Sequence, residues 1–169
     1  MDEKILIAKA KKGDADAFGK LYEKVYQKLY RYALLSLHNE QDAQDAVSEA
    51  VTDAFATIRE LKSDEAFEAW ILKIVANKCK RKMREYYVFT EELEEEHLIT
   101  ENIRWEDNMD IRKCFFRLSQ AESMIVAMHV LYGYKSSETA QILGLNENTV
   151  RSKEKRALAK MAKYLKEAR

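Results

Sequence analysis

Along most of the chain apolar residues recur at steps of three and four, the spacing of amphipathic helices rather than the alternation of strands. Residues 2–12 read as a short helix ended by Gly13. Asp14 is placed to cap a long helix reaching about His38, with Phe18, Leu21, Val25, Leu29, Tyr32 and Ala33 on its apolar side. Asn39, Glu40 and Gln41 form a polar break. A third helix is predicted to about Leu61, with Ala43, Ala46, Val47, Ala50, Val51, Ala54, Phe55 and Ile58 on one face. Asp42, Asp45 and Glu49 lie on its polar side, and acids near a helix start suit the helix dipole. Ser63 or Asp64 is expected to cap a fourth helix to about Tyr87, with Phe67, Trp70, Ile71 and Ile74 facing the core. Four matching stripes can close one core, so residues 1–87 are expected to form a helical domain.

The period is lost over residues 88–108, where Glu91, Glu92, Glu94, Glu95 and Glu96 form a dense acidic run. Such a run repels itself and favours an extended linker. Helical spacing resumes near Asp110 and reaches Leu118. Ser119 and Glu122 have the spacing of a capping box, and they open a helix carrying Met124, Ile125, Met128 and Leu131 that ends at Gly133. Ser136 or Ser137 caps a short helix with Ala140, Ile142 and Leu143, stopped by Gly144. Asn146 then caps a final helix running close to the C-terminus. A short helix, a Gly-Leu-Asn turn and a capped basic helix make a helix-turn-helix pattern within residues 109–169. The expected fold is therefore all-α: two small helical domains joined by an acidic linker, the second containing a helix-turn-helix.

Composition agrees with long helices, since there is no proline and there are four glycines in 169 residues. No apolar run approaches the roughly 18 residues that span a bilayer, and the charged start is unlike a signal peptide, so a cytoplasmic location without membrane insertion is expected. Cys79 and Cys114 form no metal-type or redox spacing and are expected to pack as reduced, apolar residues. The formal charge is zero, which taken alone argues against a nucleic-acid partner. By block the chain is different. Residues 1–72 carry a net −4, residues 73–87 a net +5, residues 88–111 a net −8 and residues 112–169 a net +7. Charge segregated in this way marks distinct interaction surfaces.

The positive blocks hold the candidate chemistry. On the fourth helix Lys73, Asn77, Lys80 and Arg84 are spaced 4, 3 and 4 apart and share one narrow stripe beside the apolar face, with Lys78, Arg81 and Lys82 nearby. Cations in a row suit a phosphate backbone, and an asparagine can make paired bonds to a base edge. On the last helix Val150, Ala157, Leu158, Met161 and Leu165 form the apolar stripe, while Asn148, Ser152 and Lys155 lie opposite, flanked by Arg151 and Arg156. The start of a recognition helix reaches base edges in the major groove, where Asn pairs with adenine and Arg or Lys with guanine. No catalytic arrangement appears. His38, His97 and His129 are isolated, no metal spacing exists, and no phosphate-binding loop is present, so no enzyme, cofactor, metal or small-molecule substrate is expected.

Two stretches resemble bacterial RNA polymerase sigma factors of the extracytoplasmic-function (group IV) type. Asp42-Ala-Gln-Asp-Ala-Val-Ser-Glu49 followed by Phe67-Glu-Ala-Trp-Ile-Leu-Lys-Ile-Val-Ala-Asn77 is similar to that group's second conserved region. Leu118 through Tyr164 is similar to its fourth region, with Gly133, Ala140-Gln-Ile-Leu-Gly144, Thr149-Val-Arg-Ser152 and Arg156-Ala157. The resemblance implies a promoter-specificity subunit that binds core RNA polymerase, reads the −10 and −35 promoter elements and has no catalysis of its own. It implies that Asp42, Asp45 and Glu49 face polymerase. The −10 element would be met by Lys73, Asn77, Lys80, Arg81 and Arg84, and the −35 element by Asn148, Thr149, Arg151, Ser152, Lys155 and Arg156. An anti-sigma protein is the implied inhibitor. Val51, Phe55, Ser119 and Thr139 depart from the family's usual residues, and Glu154 departs most, because it falls four after Val150 inside the apolar stripe. A buried, unpaired carboxylate would be costly, so Glu154 is expected to pair with a base or to lie at an exposed edge. Two alternatives fit the same residues: a stand-alone helix-turn-helix regulator, and a polymerase-binding adaptor that does not touch DNA.

Overall fold

Asparagine, aspartate and serine side chains set most of the helix starts. In the computed structural model, which describes residues 2–90 and 109–168, Asp2 accepts from the Lys4 N–H at 3.2 Å and opens α1 (Glu3–Ala10). Asp14 accepts from Ala17 at 3.0 Å to open α2 (Ala15–Leu37), and Asn39 accepts from Asp42 at 3.0 Å to open α3 (Glu40–Thr57). Each such cap is worth about 1 kcal/mol. His38 and Asn39 thus break the chain, where a break over Asn39, Glu40 and Gln41 is expected; Glu40 and Gln41 already belong to α3. The sharp reversal between α2 and α3 falls on His38, which takes the left-handed conformation at φ 57°.

α3 stops four residues before the predicted Leu61, tightening into a 3₁₀ turn over Ile58–Glu60. Ser63 does not cap the next helix. Its hydroxyl donates to Glu65 at 2.8 Å, and a 3₁₀ turn over Asp64–Ala66 leads into α4 (Phe67–Thr90). α4 runs three residues past the predicted Tyr87, into the segment expected as linker, and the rest of that segment lies outside the described residues.

After it come α5 (Met109–Phe116), α6 (Gln120–Tyr132), α7 (Ser136–Leu143) and α8 (Glu147–Glu167). The predicted capping box is formed: Ser119 accepts from Glu122 at 3.2 Å, and Glu122 accepts from the Ser119 N–H at 3.0 Å. Gly133 and Gly144 end α6 and α7 at φ 68° and 64°, positions where an L side chain is strained. Neither Ser136 nor Ser137 caps α7. Lys135 holds the cap position, with its N–H donating to Glu138, and the Ser136 hydroxyl is used elsewhere.

The architecture is all-α, with α1–α4 and α5–α8 as two helical subdomains. Phe67, Ile71, Leu72, Leu21 and Leu29 fill the first, and Phe115, Ile125, Met128, Leu143 and Val150 the second. The two also pack on each other. α2 contacts α6 as well as α3 and α4, and its last stretch, Tyr32 through Leu37, is buried on every side. A helix enclosed all round must be apolar all round, which explains the run Ala-Leu-Leu at 33–35 that a single stripe does not need. The interface is polar at its edges. Gln120 donates to the Leu37 carbonyl at 3.2 Å, and the His38 ring stacks on Phe116. Ser123 donates to the Phe115 carbonyl, so the 2.9 Å contact with His38 Nε2 is a bond donated by the ring.

Candidate polymerase and nucleic-acid interfaces

α4 is amphipathic in three strips rather than two. Ile71, Leu72, Val75, Ala76 and Cys79 are buried, and burial holds the Cys79 thiol up at about 12, so it packs as an apolar group. Along one side of that face stand Lys73, Asn77 and Arg84, all exposed. Lys80 lies in the same stripe but is half-buried, and its ammonium donates to the Leu143 carbonyl at the end of α7, at 2.5 Å. Burial first, and then the Arg84 and Lys73 cations, pull the Lys80 pKa below the usual lysine value. The stripe is therefore a genuine positive cluster, in which cations sit close enough to oppose one another.

Along the other side of the buried face, α4 meets α3 in a ladder of opposite charges. Lys82 lies 3.8 Å from Asp45, Lys78 lies 3.8 Å from Glu49 and 2.5 Å from Asp53, and Arg81 is bonded to Glu49. Arg81 also approaches Glu85 at 3.6 Å. Spacing on one helix cannot reveal this partnership, because the acids and the bases lie on different helices. Two of the candidate polymerase-facing acids, Asp45 and Glu49, are thus half-buried against α4. Asp42 is half-buried at the first turn of α3. Of the candidate −10 residues, Arg81 belongs to this ladder, while Lys73, Asn77, Lys80 and Arg84 belong to the stripe.

α8 presents its candidate residues differently. Asn148, Thr149, Arg151, Ser152, Lys155 and Arg156 are all exposed. Their contacts are local: Arg151 pairs with Glu147 at 2.5 Å, Ser152 donates to the Thr149 carbonyl, and Arg156 donates to the Ser152 carbonyl. Val150, Ala157 and Met161 anchor the opposite face in the core, while Leu158, expected in that stripe, is exposed.

Glu154 finds partners at the inner edge of the helix. It accepts from the Ser136 hydroxyl at 2.7 Å and lies 3.3 Å from His129 Nδ1. That nitrogen also lies 3.3 Å from the Tyr134 carbonyl, an acceptor, so Nδ1 carries the proton. The carboxylate is satisfied, as its burial requires, and the two donors come from the start of α7 and the end of α6. Neither is readable from the spacing along α8. Deeper in the same subdomain, burial raises the Glu122 pKa, but Lys160 at 2.8 Å and the Ser119 cap outweigh it and hold the carboxyl below its ordinary value.

Among the described residues no group of His, Cys, Asp and Glu is arranged to hold a metal ion, and no helix is long and apolar enough to cross a membrane. The model of sigma-70 region 2 matches residues 21–86, and that of sigma-70 region 4 matches residues 108–161. The chain belongs to the sigma-70 family, in its extracytoplasmic-function group. Similar proteins include the ECF RNA polymerase sigma factor SigM of Mycobacterium tuberculosis, 29% identical over 95% of this chain and 83% of that one. The RNA polymerase sigma factor SigV of Bacillus subtilis is 27% identical over 80% of this chain and 82% of its own. Among solved structures, the sigma factor RpoE of Bartonella quintana, in complex with the anti-sigma factor NepR, shares the fold at a TM-score of 0.74 with 20% identity. The match covers 90% of this chain and 98% of that one. CnrH, bound to the cytosolic domain of CnrY, matches at 0.66 with 22% identity and 97% coverage of both chains. The protein is thus a promoter-specificity factor that binds RNA polymerase and DNA, and sigma factors are not enzymes.

Proposed function

We propose that the α4 stripe and the outer face of α8 are the two promoter-reading surfaces, for the −10 and −35 elements respectively. The observation that carries this reading is the stripe itself: Lys73, Asn77 and Arg84 stand exposed in one row, while the neighbouring cations of α4 are taken up by α3. The free row is thereby left as the part of α4 able to meet an external polyanion. Its lone asparagine is the group able to read a base edge, and Lys73, Lys80 and Arg84 meet phosphates. α7 and α8 act as a helix-turn-helix, with Asn148, Thr149, Arg151, Ser152, Lys155 and Arg156 in the major groove. Polymerase docks on the α3 edge around Asp42, Asp45 and Glu49. Residues 1–87 and 109–169 are the two working domains, residues 88–108 their acidic connection, and the site of action is the cytoplasm. An anti-sigma protein is the expected inhibitor.

Run-off transcription tests the reading, using core polymerase with the full-length protein on genomic fragments. A discrete set of transcripts that vanishes with Asn77→Ala and with Arg151→Ala plus Lys155→Ala is expected. Tight core binding with no specific transcript would contradict it. A sequence-specific duplex shift by the protein alone would instead favour a stand-alone regulator.

A further inference from the structure

Glu154 turns inward from the helix that carries the candidate −35 readers. Its side chain is 14% exposed, against 41% for Glu147, which pairs with Arg151 on the outer face. The two carboxylate oxygens hold two different helices. Oε2 accepts from the Ser136 hydroxyl at 2.7 Å, in the first turn of α7, and Oε1 lies 3.3 Å from His129 Nδ1, in the last turn of α6. No side chain caps α7 from its Lys135 start, so the Ser136 hydroxyl is committed to Glu154, whose charge stands near the positive end of the α7 dipole. Between the two donors the chain passes through Tyr134. Its carbonyl lies 3.3 Å from the same His129 nitrogen, and its ring stacks on Tyr132 at 5.6 Å.

We propose that Glu154 is a positioning residue for −35 recognition: through Ser136 and His129 it fixes the rotation of α8 on α6 and α7, and so which α8 side chains face the groove. The inference rests on the promoter reading given above, and it gives a role to the residue that departs most from the family's usual pattern.

Rotation matters because of scale. Side-chain tips lie about 5–6 Å from a helix axis, so turning α8 by about 20° moves them by about 2 Å. A bond to a base edge spans about 2.7–3.2 Å and weakens steeply when misdirected. A turn of that size therefore exchanges or breaks the contacts of Arg151, Ser152 and Lys155, which flank Glu154 in sequence and are exposed. Apolar packing resists such a turn weakly. Val150, Ala157 and Met161 anchor α8 by burial, and burial has no direction. A carboxylate resists it strongly. Two directed contacts hold it at one rotation, and any other leaves a buried charge short of donors. A leucine at this position would fill the core and have no such preferred partner.

The test separates rotation from stability, using the full-length protein with core polymerase and a fluorescein-labelled promoter duplex. Glu154→Leu should leave the thermal midpoint of the free protein unchanged or higher, since exchanging a buried ionic group for a packed apolar one is often neutral or stabilising. It should nevertheless weaken holoenzyme binding to the duplex about tenfold, the scale of one directed base contact. It should also flatten the differences among duplexes carrying point changes in the −35 element, while differences among −10 variants persist. Glu154→Gln keeps an acceptor for Ser136 and should recover most of the discrimination. Ser136→Ala, a mild change at a half-buried position, should lose part of it, and carries the test by itself if Glu154→Leu fails to fold. Adding Ser136→Ala to Glu154→Leu should cost nothing more, because the two act through one bond. Undiminished −35 discrimination in both single variants overturns the proposal. So does a loss of discrimination that follows a fall in the thermal midpoint, or one that strikes the −10 element equally, because either marks a general packing role. If the wild-type holoenzyme itself distinguishes no −35 variants, the promoter reading fails and this proposal with it.

Discussion

α4 and α8 are both basic helices with one buried face, yet they hold their cations in opposite ways. On α4 the row next to α3 is locked into ion pairs between helices, through Lys78, Arg81 and Lys82. The remaining row is left pointing outward or, at Lys80, toward α7. On α8 the inner-edge Lys160 and Glu154 reach α6 and α7, but the candidate cations of the outer face make local contacts, as with Arg151 to Glu147 and Arg156 to the Ser152 carbonyl. Neighbouring helices thus decide which cations of a basic helix are available. α4 is a pre-ordered surface with a few selected charges, suited to holding one strand in a fixed register. α8 presents an exposed fringe of polar and charged side chains on a rod anchored by Val150, Ala157 and Met161, suited to entering a groove.

The first way to break this comparison is at Asn77. If α4 reads a base, Asn77→Ala should lower transcription from a cognate promoter by tenfold or more, the scale of about 1–3 kcal/mol for a directed base contact. Loss should be confined to certain bases at one promoter position, and run-off assays on a set of point-mutant templates would check it. A uniform loss on all templates would make Asn77 a mere backbone contact.

A smaller effect separates the two rows of α4. Lys73→Ala with Arg84→Ala should flatten the dependence of log affinity on log salt by about 0.7 per phosphate lost on single-stranded DNA. Lys78→Ala should leave that slope unchanged and lower thermal stability instead, by the 0.2–1 kcal/mol typical of exposed ion pairs, roughly. Fluorescence titration of the holoenzyme between low and moderate salt would measure the first and thermal unfolding the second. Equal slopes for both variants would erase the distinction between the rows.

Much of this was legible in the sequence. Capping residues at Asp14, Ser119 and Asn146 and the apolar period placed all eight α-helices to within a few residues. They also put Lys73, Asn77 and Arg84 on one exposed stripe, because a helix wheel fixes the direction of side chains on its own helix. What could not be read was whatever depends on a second helix. The α3–α4 ion pairs, the Ser136 and His129 partners of Glu154, and the diversion of Lys80 all join residues distant in the chain. The one signal present was composition: the unbroken apolar run at the end of α2 exceeds what one stripe requires, and it announces the α6 interface. Zero net charge, which taken alone argues against DNA, is the sum of oppositely charged blocks along the chain.

A further effect, on stability rather than on DNA binding, concerns acid. Glu122 has a folded-state pKa below its ordinary value, so its contribution to stability is present above about pH 4.5 and is lost as pH falls through the depressed value. Urea unfolding of the wild type should therefore weaken below that pH. Glu122→Gln should be less stable at pH 7 by about 1 kcal/mol, with a flatter acid limb. Parallel acid limbs would remove Glu122 from the account.

The central claim, that α4 and α8 read separate promoter elements, is tested most directly by tethered cleavage. Iron chelates on Glu85→Cys and Gln141→Cys, exposed positions beside the two surfaces, generate radicals that cut nearby DNA within the holoenzyme–promoter complex. The account predicts two cut centres about 25 base pairs apart, or about 85 Å at roughly 3.4 Å per pair, the α4 tether cutting next to the start site and the α7 tether upstream. Cuts from both tethers at one place on the promoter would contradict it.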